Sequence, residues 1–315
     1  MFVEEQKAGK KKKYYLAHSF RYEGKVKKIR VFLGSDLGIE ELENAMLAAE
    51  KQILLKVQDF KKIQDPLLEV LSKAEIEKIR QLQEKKAFKV FHLSEEQWEI
   101  FSEIFAYNTN AIEGSMLSQN EVKQILGKGQ WPKDKTREDI SEAYGVRDAI
   151  KFTRETNEGL SIELIKKIHW TVFRNSKPFA GNFRRLGMEV AVVDAFGNVV
   201  HRGAPSEKVL ELLKELCTWY KKFEAKYPPI LLASIAHNQF ENIHPFEDGN
   251  GRVGRILMNY VLIKHGLPPV NIDFTKRSQY YAALKEYEDN HDIKPTIELL
   301  LEEFKTLKKR LKANR

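Results

Sequence analysis

The chain has 315 residues, 42% hydrophobic and 31% charged, enough apolar content for a core and too much for wholesale disorder. No apolar run approaches the ~18 residues that span a bilayer, the first fifteen residues lack a secretory signal's apolar stretch, and the single Cys217 excludes an intrachain disulfide, so the expectation is a cytoplasmic protein without membrane contact. The net charge of +8 is uneven, with +7 in residues 1–30, +6 in residues 305–315 and an acidic middle, which is not the pattern of a uniformly basic nucleic-acid binder.

In chain order, KKYYLAHSF and KVKKIRVFLG flank Tyr22-Glu23-Gly24 and predict a basic β-hairpin. Residues 40–86 read as long charged helices with a break at Pro66. Residues 1–92 form an expected accessory region, whose hairpin is the one segment with the make-up of a nucleic-acid or partner-docking element; the basic ends otherwise read as solvated tails. A second unit is expected over 93–303. Ser94 and Gln97 form a capping box that opens a helix carrying Trp98, Phe101, Ile104 and Phe105, with Gly114 as its stop. Ser118 and Glu121 form another capping box, and helical patterns follow at 138–156 and 161–174. Residues 184–202 predict a β-hairpin turning at Gly197-Asn198. Residues 304–315 read as a basic C-terminal tail.

The segment that carries chemistry is 230–261. Leu232, Ile235, Ala236, Phe240 and Ile243 mark one buried helix face, and Val253, Ile256, Leu257, Tyr260 and Val261 mark the next. Between them lies His244-Pro245-Phe246-Glu247-Asp248-Gly249-Asn250-Gly251-Arg252. A tight loop feeding a helix N-terminus presents unpaired backbone amides and partial positive charge, an anion site. Arg252 and Arg255 stand about 60° apart on the helical wheel and are placed to reach phosphates. Asp248 is a hard ligand suited to Mg²⁺, and His244 is a base for a hydroxyl proton. Gly249–Gly254 also matches G-x-G-x-x-G, with Asp273 downstream, but the preceding residues are helical and a dinucleotide fold needs a strand there.

HPFEDGNGRVGR at 244–255 resembles the Fic signature H-P-F-x-[DE]-G-N-G-R-x-x-R at every defined position. The resemblance spans about 94–300, with Ala180–Arg184 and the following hairpin resembling the family's lead-in and flap, and Gly266–Pro269 and Arg277–Leu284 its closing helices. It implies a mainly α fold, a Fic-type helical bundle with a β-hairpin flap, and transfer of AMP from ATP with Mg²⁺ to a Ser, Thr or Tyr hydroxyl of a target protein, the chain itself included. By the same resemblance His244 is the base, Asp248 the Mg²⁺ ligand, Gly249, Asn250 and Gly251 the anion cradle, and Arg252 the β-phosphate partner. Phe246 anchors the loop, Tyr280 and Tyr281 line the adenine pocket, and Met188, Glu189, Val190 and Ala191 form the flap edge that takes the target as an added strand.

Thr109-Asn110-Ala111-Ile112-Glu113-Gly114 resembles the family's inhibitory motif [ST]-x-x-x-E-[GN], which implies that Glu113 occupies Arg255 in place of the γ-phosphate. Two other readings stay open at this point: removal of AMP or use of another nucleotide donor at the same site, and a nucleotide-sensing DNA-binding or docking regulator. Self-association into a homodimer is a further expectation from the resemblance.

Overall fold

The computed structural model describes residues 1–9, 11–22, 25–62, 71–86, 93–193 and 199–313. They divide into two compact units, Met1–Glu69 and Val70–Arg315.

In the first unit, β1 (Phe2–Ala8), β2 (Lys11–Tyr22) and β3 (Lys25–Ser35) form an antiparallel sheet in that order, followed by α1 (Ile39–Lys62). Val3, Leu16 and Val31 are cross-strand neighbours, so strand alternation places them on one face. There they pack with Ala49 and Ile53 of the helix. The expected hairpin is β2–β3. The strand β1 was not anticipated, because FVEEQKA has too few apolar residues to show alternation; pairing with β2 forms it. The expected turn at Glu23-Gly24 and the break at Pro66 lie outside the described residues.

The second unit is built around two helices, α8 (Pro229–Ile243) and α9 (Asn250–Lys264), almost every residue of which is buried. Before them come α2 (Lys73–Lys86), α3 (Glu95–Ile112), α4 (Gln119–Lys128), α5 (Arg137–Glu155), α6 (Ile162–Phe173), the short strands β4 (Ala191–Val193) and β5 (Val199–Arg202), and α7 (Val209–Phe223). After them come α10 (Arg277–Asn290) and α11 (Lys294–Ala313). Helices α3, α5 and α6 cover α9, while α7, α10 and α11 cover α8. Both predicted capping boxes are present, at Ser94 and Ser118, and Thr136 and Ser161 cap α5 and α6. The turn expected at Gly197-Asn198 lies outside the described residues.

Two boundaries differ from the sequence reading. The division falls after Glu69 rather than at 92, because α2 belongs to the second unit. Its Gln83 accepts the amide of Ile230 at 2.9 Å, at a helix start that has no side-chain cap of its own, and its Glu75 pairs with Lys294 at 2.8 Å. The basic segment from 304 is not a tail: α11 continues through it to Ala313, with Phe304 and Leu307 buried at helical spacing from Leu300.

Gly145 of α5 fixes the approach of α6, since a Cβ there would overlap the Val172 carbonyl. Gly145→Ala is expected to lower stability by about 1–3 kcal/mol, the range for overpacked cores, read from the urea midpoint.

Candidate active site

The loop between α8 and α9 is held shut by its own residues. Asn250 donates its side-chain amide to the Phe246 carbonyl at 2.9 Å and accepts the Phe246 amide at 2.8 Å. Phe246 is fully buried and stacks on His169 at 3.8 Å between centroids. His169 accepts the Gly181 amide at Nδ1 (2.8 Å), so its Nε2 carries the proton and donates to the Asp248 carbonyl at 3.1 Å. Gly249 takes φ +82° against the Phe173 ring, where a Cβ would overlap, and α9 begins at the next residue. The first amides of α9 therefore face a cleft of about 380 Å³.

Arg184 clamps this loop to the flap. Its Nε donates to the His244 carbonyl at 2.9 Å, one terminal nitrogen to the Met188 carbonyl at 2.6 Å, and the other to the Ala204 carbonyl. Its own amide donates to the Pro245 carbonyl at 3.0 Å. The AGNFR segment marks the position, but the clamp needs partners up to 61 residues away, which no local pattern displays.

At the far wall Arg255 is 1% exposed. Its Nε donates to Thr109 Oγ1 at 2.8 Å, one terminal nitrogen to the Thr109 carbonyl at 3.0 Å and to Glu113 Oε1 at 2.7 Å, and the other to Tyr280 Oη at 3.3 Å. Burial opposes the charge, and the Glu113 carboxylate overcomes it, so the guanidinium pKa is raised. Glu113 caps the end of α3, where Gly114 at φ +96° turns the chain away, and its carboxylate lies over Gly251 with no room for a Cβ.

His244 sits in the left-handed region (φ 51°) at the end of α8. Its Nδ1 lies 3.1 Å from the Glu241 carbonyl, which can only accept; Nδ1 therefore carries the proton and Nε2 keeps its lone pair. Burial pushes the imidazole pKa down to about 4, so the ring is neutral at pH 7. Burial also lowers His169 to about 4 and, with Arg255 nearby, His237 to about 3. Glu241, which the sequence reading did not single out, lines the same cleft 3.9 Å from His244 Nδ1, and burial raises its carboxyl to about 8.

The cleft brings together His244, Asp248, Gly249, Asn250, Gly251, Arg255, Tyr280, Tyr281, Val190, Ala191 and Glu113. Five expected site residues stand elsewhere. Phe246 is in the core, and Thr109 lies behind Arg255. Met188 is turned to the Arg184 clamp by its carbonyl, and Glu189 lies against the Ser206 amide at 3.5 Å. Arg252 is 6% exposed, ion-paired with Glu142 and stacked over Phe173 at 4.5 Å. The helical wheel placed both arginines off the apolar face, yet α5 and α6 supply Arg252 with a buried carboxylate and a ring. Among the described residues no group of three His, Cys, Asp or Glu is arranged to hold a metal ion. The half-exposed Asp248 carboxylate lines the cleft wall, where Lys177 lies 3.5 Å from its Oδ2 and its Oδ1 accepts the Gly249 amide at 2.6 Å. A half-exposed carboxylate at a helix N-terminus fits magnesium, which keeps waters and takes other ligands from phosphate oxygens when a nucleotide is bound.

Residues 159–262 match the Fic/DOC family model. The chain is similar to the protein adenylyltransferase fic-1 of Caenorhabditis elegans, 32% identical over 190 residues that span 58% of this chain and 35% of the worm protein. The chain thus covers about a third of that relative's length. A solved fragment of Fic-1 from the same worm aligns at TM-score 0.62 and 25% identity, over 89% of this chain and 78% of that one. A Fic-domain signalling protein from Bacteroides thetaiotaomicron aligns at TM-score 0.65 and 24% identity, over 76% and 96%, and shares the fold.

The buried histidines make stability acid-sensitive. Unfolded, each takes its proton near 6.5; folded, His244 and His169 do so only near 4 and His237 near 3. Each histidine therefore lowers stability from pH 6.5 toward pH 4 by about 1.4 kcal/mol per unit, and Glu241, protonated up to about pH 8 in the fold but only near 4.5 unfolded, offsets one of the three. Urea midpoints at pH 7, 5.5 and 4.5 should show this slope, shallower in His237→Gln. Equal slopes would refute the assignment.

Proposed function

We propose that the Fic/DOC-matching region of this chain transfers AMP from ATP to a hydroxyl of a protein, and that Glu113 restrains it. The observation that supports this most directly is a neutral His244 imidazole, its Nε2 unprotonated, on the same cleft as the open N-terminus of α9. His244 accepts the hydroxyl proton; the hydroxyl oxygen bonds to the α-phosphorus as the bond to the departing pyrophosphate breaks. The amides of Asn250 and Gly251 stabilise the phosphate oxygens without reorganising. Asp248 would hold Mg²⁺, which supplies charge neutralisation to the phosphates when bound. Tyr280 and Tyr281 line the side of the cleft toward the adenine. Arg252 supports the loop from behind, through Glu142 and Phe173, and its terminal nitrogen lies 3.7 Å from the Asp248 carboxylate on the cleft wall. Val190 and Ala191 offer main chain to the segment that bears the hydroxyl.

The restraint follows from geometry. A γ-phosphate reaching Arg255 needs the place that Glu113 Oε1 holds at 2.7 Å, and two anions on one guanidinium repel each other. A nucleotide entering beside Glu113 lies in a pose unfit for attack.

With labelled ATP and Mg²⁺, self-labelling is expected to be weak for the unaltered chain, at least tenfold stronger for Glu113→Gly, and lower by about 10²-fold or more for Glu113→Gly/His244→Ala. Equal labelling of all three would remove the mechanism. The protein substrates would be found as adenylylated hydroxyls in a cell extract treated with Glu113→Gly.

A further inference from the structure

The first unit has one sheet face packed on α1 and another that is not. Strand alternation assigns Val3, Leu16, Ile29, Val31 and Leu33 to the covered face, where they meet α1. The cross-strand partners of opposite parity point the other way: Lys11, Lys13 and Arg21 on β2, and Lys28 and Arg30 on β3. The carboxylate sharing their face on these strands, Glu4, is half enclosed beneath Lys28 and Arg30, which both bind it. One carboxylate against five cations leaves the face strongly positive. It also carries rings that a merely soluble surface does not need: Phe2 is 47% exposed and Phe32 54% exposed. Phe32 packs beside Tyr15 at 5.3 Å, and Lys28 lies over Phe2 at 5.1 Å.

We infer that this open face of the N-terminal sheet binds a single-stranded nucleic acid, with phosphates on Lys28, Arg30, Lys13 and Arg21 and bases stacked on Phe2 and Phe32. Same-face residues of a strand stand about 7 Å apart, so a row of cations tracks an extended phosphate chain. Exposed rings interleaved with cations on a sheet provide stacking for bases, which every base accepts whatever its identity. A duplex hides its base faces and leaves the two phenylalanine rings without a partner. The central Ala17 and Ser19 keep the middle of the face low between the longer side chains. The inference is independent of the catalytic reading, since none of these residues lies on the cleft.

The test is anisotropy of a labelled 20-nucleotide single strand, the matching duplex, and vesicles of anionic phospholipid, each with the full chain. The single strand is expected to bind most tightly and to weaken with salt. Lys28→Ala/Arg30→Ala should weaken it at least tenfold and reduce the slope of log affinity on log salt by about 1.4, roughly 0.7 per lost phosphate contact. Phe32→Ala should weaken it at least fivefold with the salt slope unchanged, and Lys51→Ala, on the exposed side of α1, should change neither. The far-ultraviolet circular dichroism spectrum and the limited-proteolysis pattern of the N-terminal unit should be the same in all these variants, which separates loss of binding from loss of folding. Tighter binding to the duplex, binding only to vesicles, or equal loss in Lys51→Ala would overturn the proposal.

Discussion

A guanidinium that is 1% exposed must keep an anion beside it, and the rest of the site is arranged around that need. Arg255 has hydroxyl and carbonyl acceptors from Thr109 and Tyr280, but the carboxylate at hydrogen-bond distance is Glu113. Taking Glu113 away without replacement leaves an unpaired buried charge, which costs about 3–5 kcal/mol. In the proposed function Glu113 and a phosphate are alternatives for one position, and their exchange would be the point of control. Glu241 is also nearby, yet burial keeps its carboxyl protonated up to about pH 8, so it does not compete as an anion.

The same burial sets the other end of the cleft. His244 ends a helix buried along its whole length, and desolvation holds the ring neutral. Its tautomer comes from a main-chain carbonyl one turn back, so helix geometry orients the ring. The side chains of Asn250 and Arg184 then fix the loop through main-chain partners, those of Phe246 and His244 among them. In the proposed function this rigidity would serve the chemistry, because amides stabilise developing charge best when they need not move to meet it.

The two units sort charge in different ways. In the helical unit, packing brings an acid from another element to Arg252 and Arg255, which pair with Glu142 and Glu113. In the small sheet, the period of two sends alternate lysines to opposite faces, and α1 covers only one of them. A lysine run that looks uniform in one dimension becomes a directed surface in three.

Much of this was legible in the residues. Capping boxes at Ser94 and Ser118, the helical period of α8 and α9, and the loop from His244 to Arg255 are local, and local chemistry dictates them. Even the meeting of Glu113 with Arg255, 142 positions apart, was an expectation of the resemblance. What only the tertiary structure decided was which side chains meet the cleft. Arg252 and Arg255 look equivalent on a helical wheel, but α5 and α6 enclose one while α3 brings an acid to the other. Arg184 and Glu241 acquire their roles from neighbours on other elements, and β1 and the last turns of α11 take theirs from packing partners. The physical reason is that hydrogen bonding within an element depends on adjacent residues, whereas desolvation and charge pairing depend on whatever the fold places a few ångströms away.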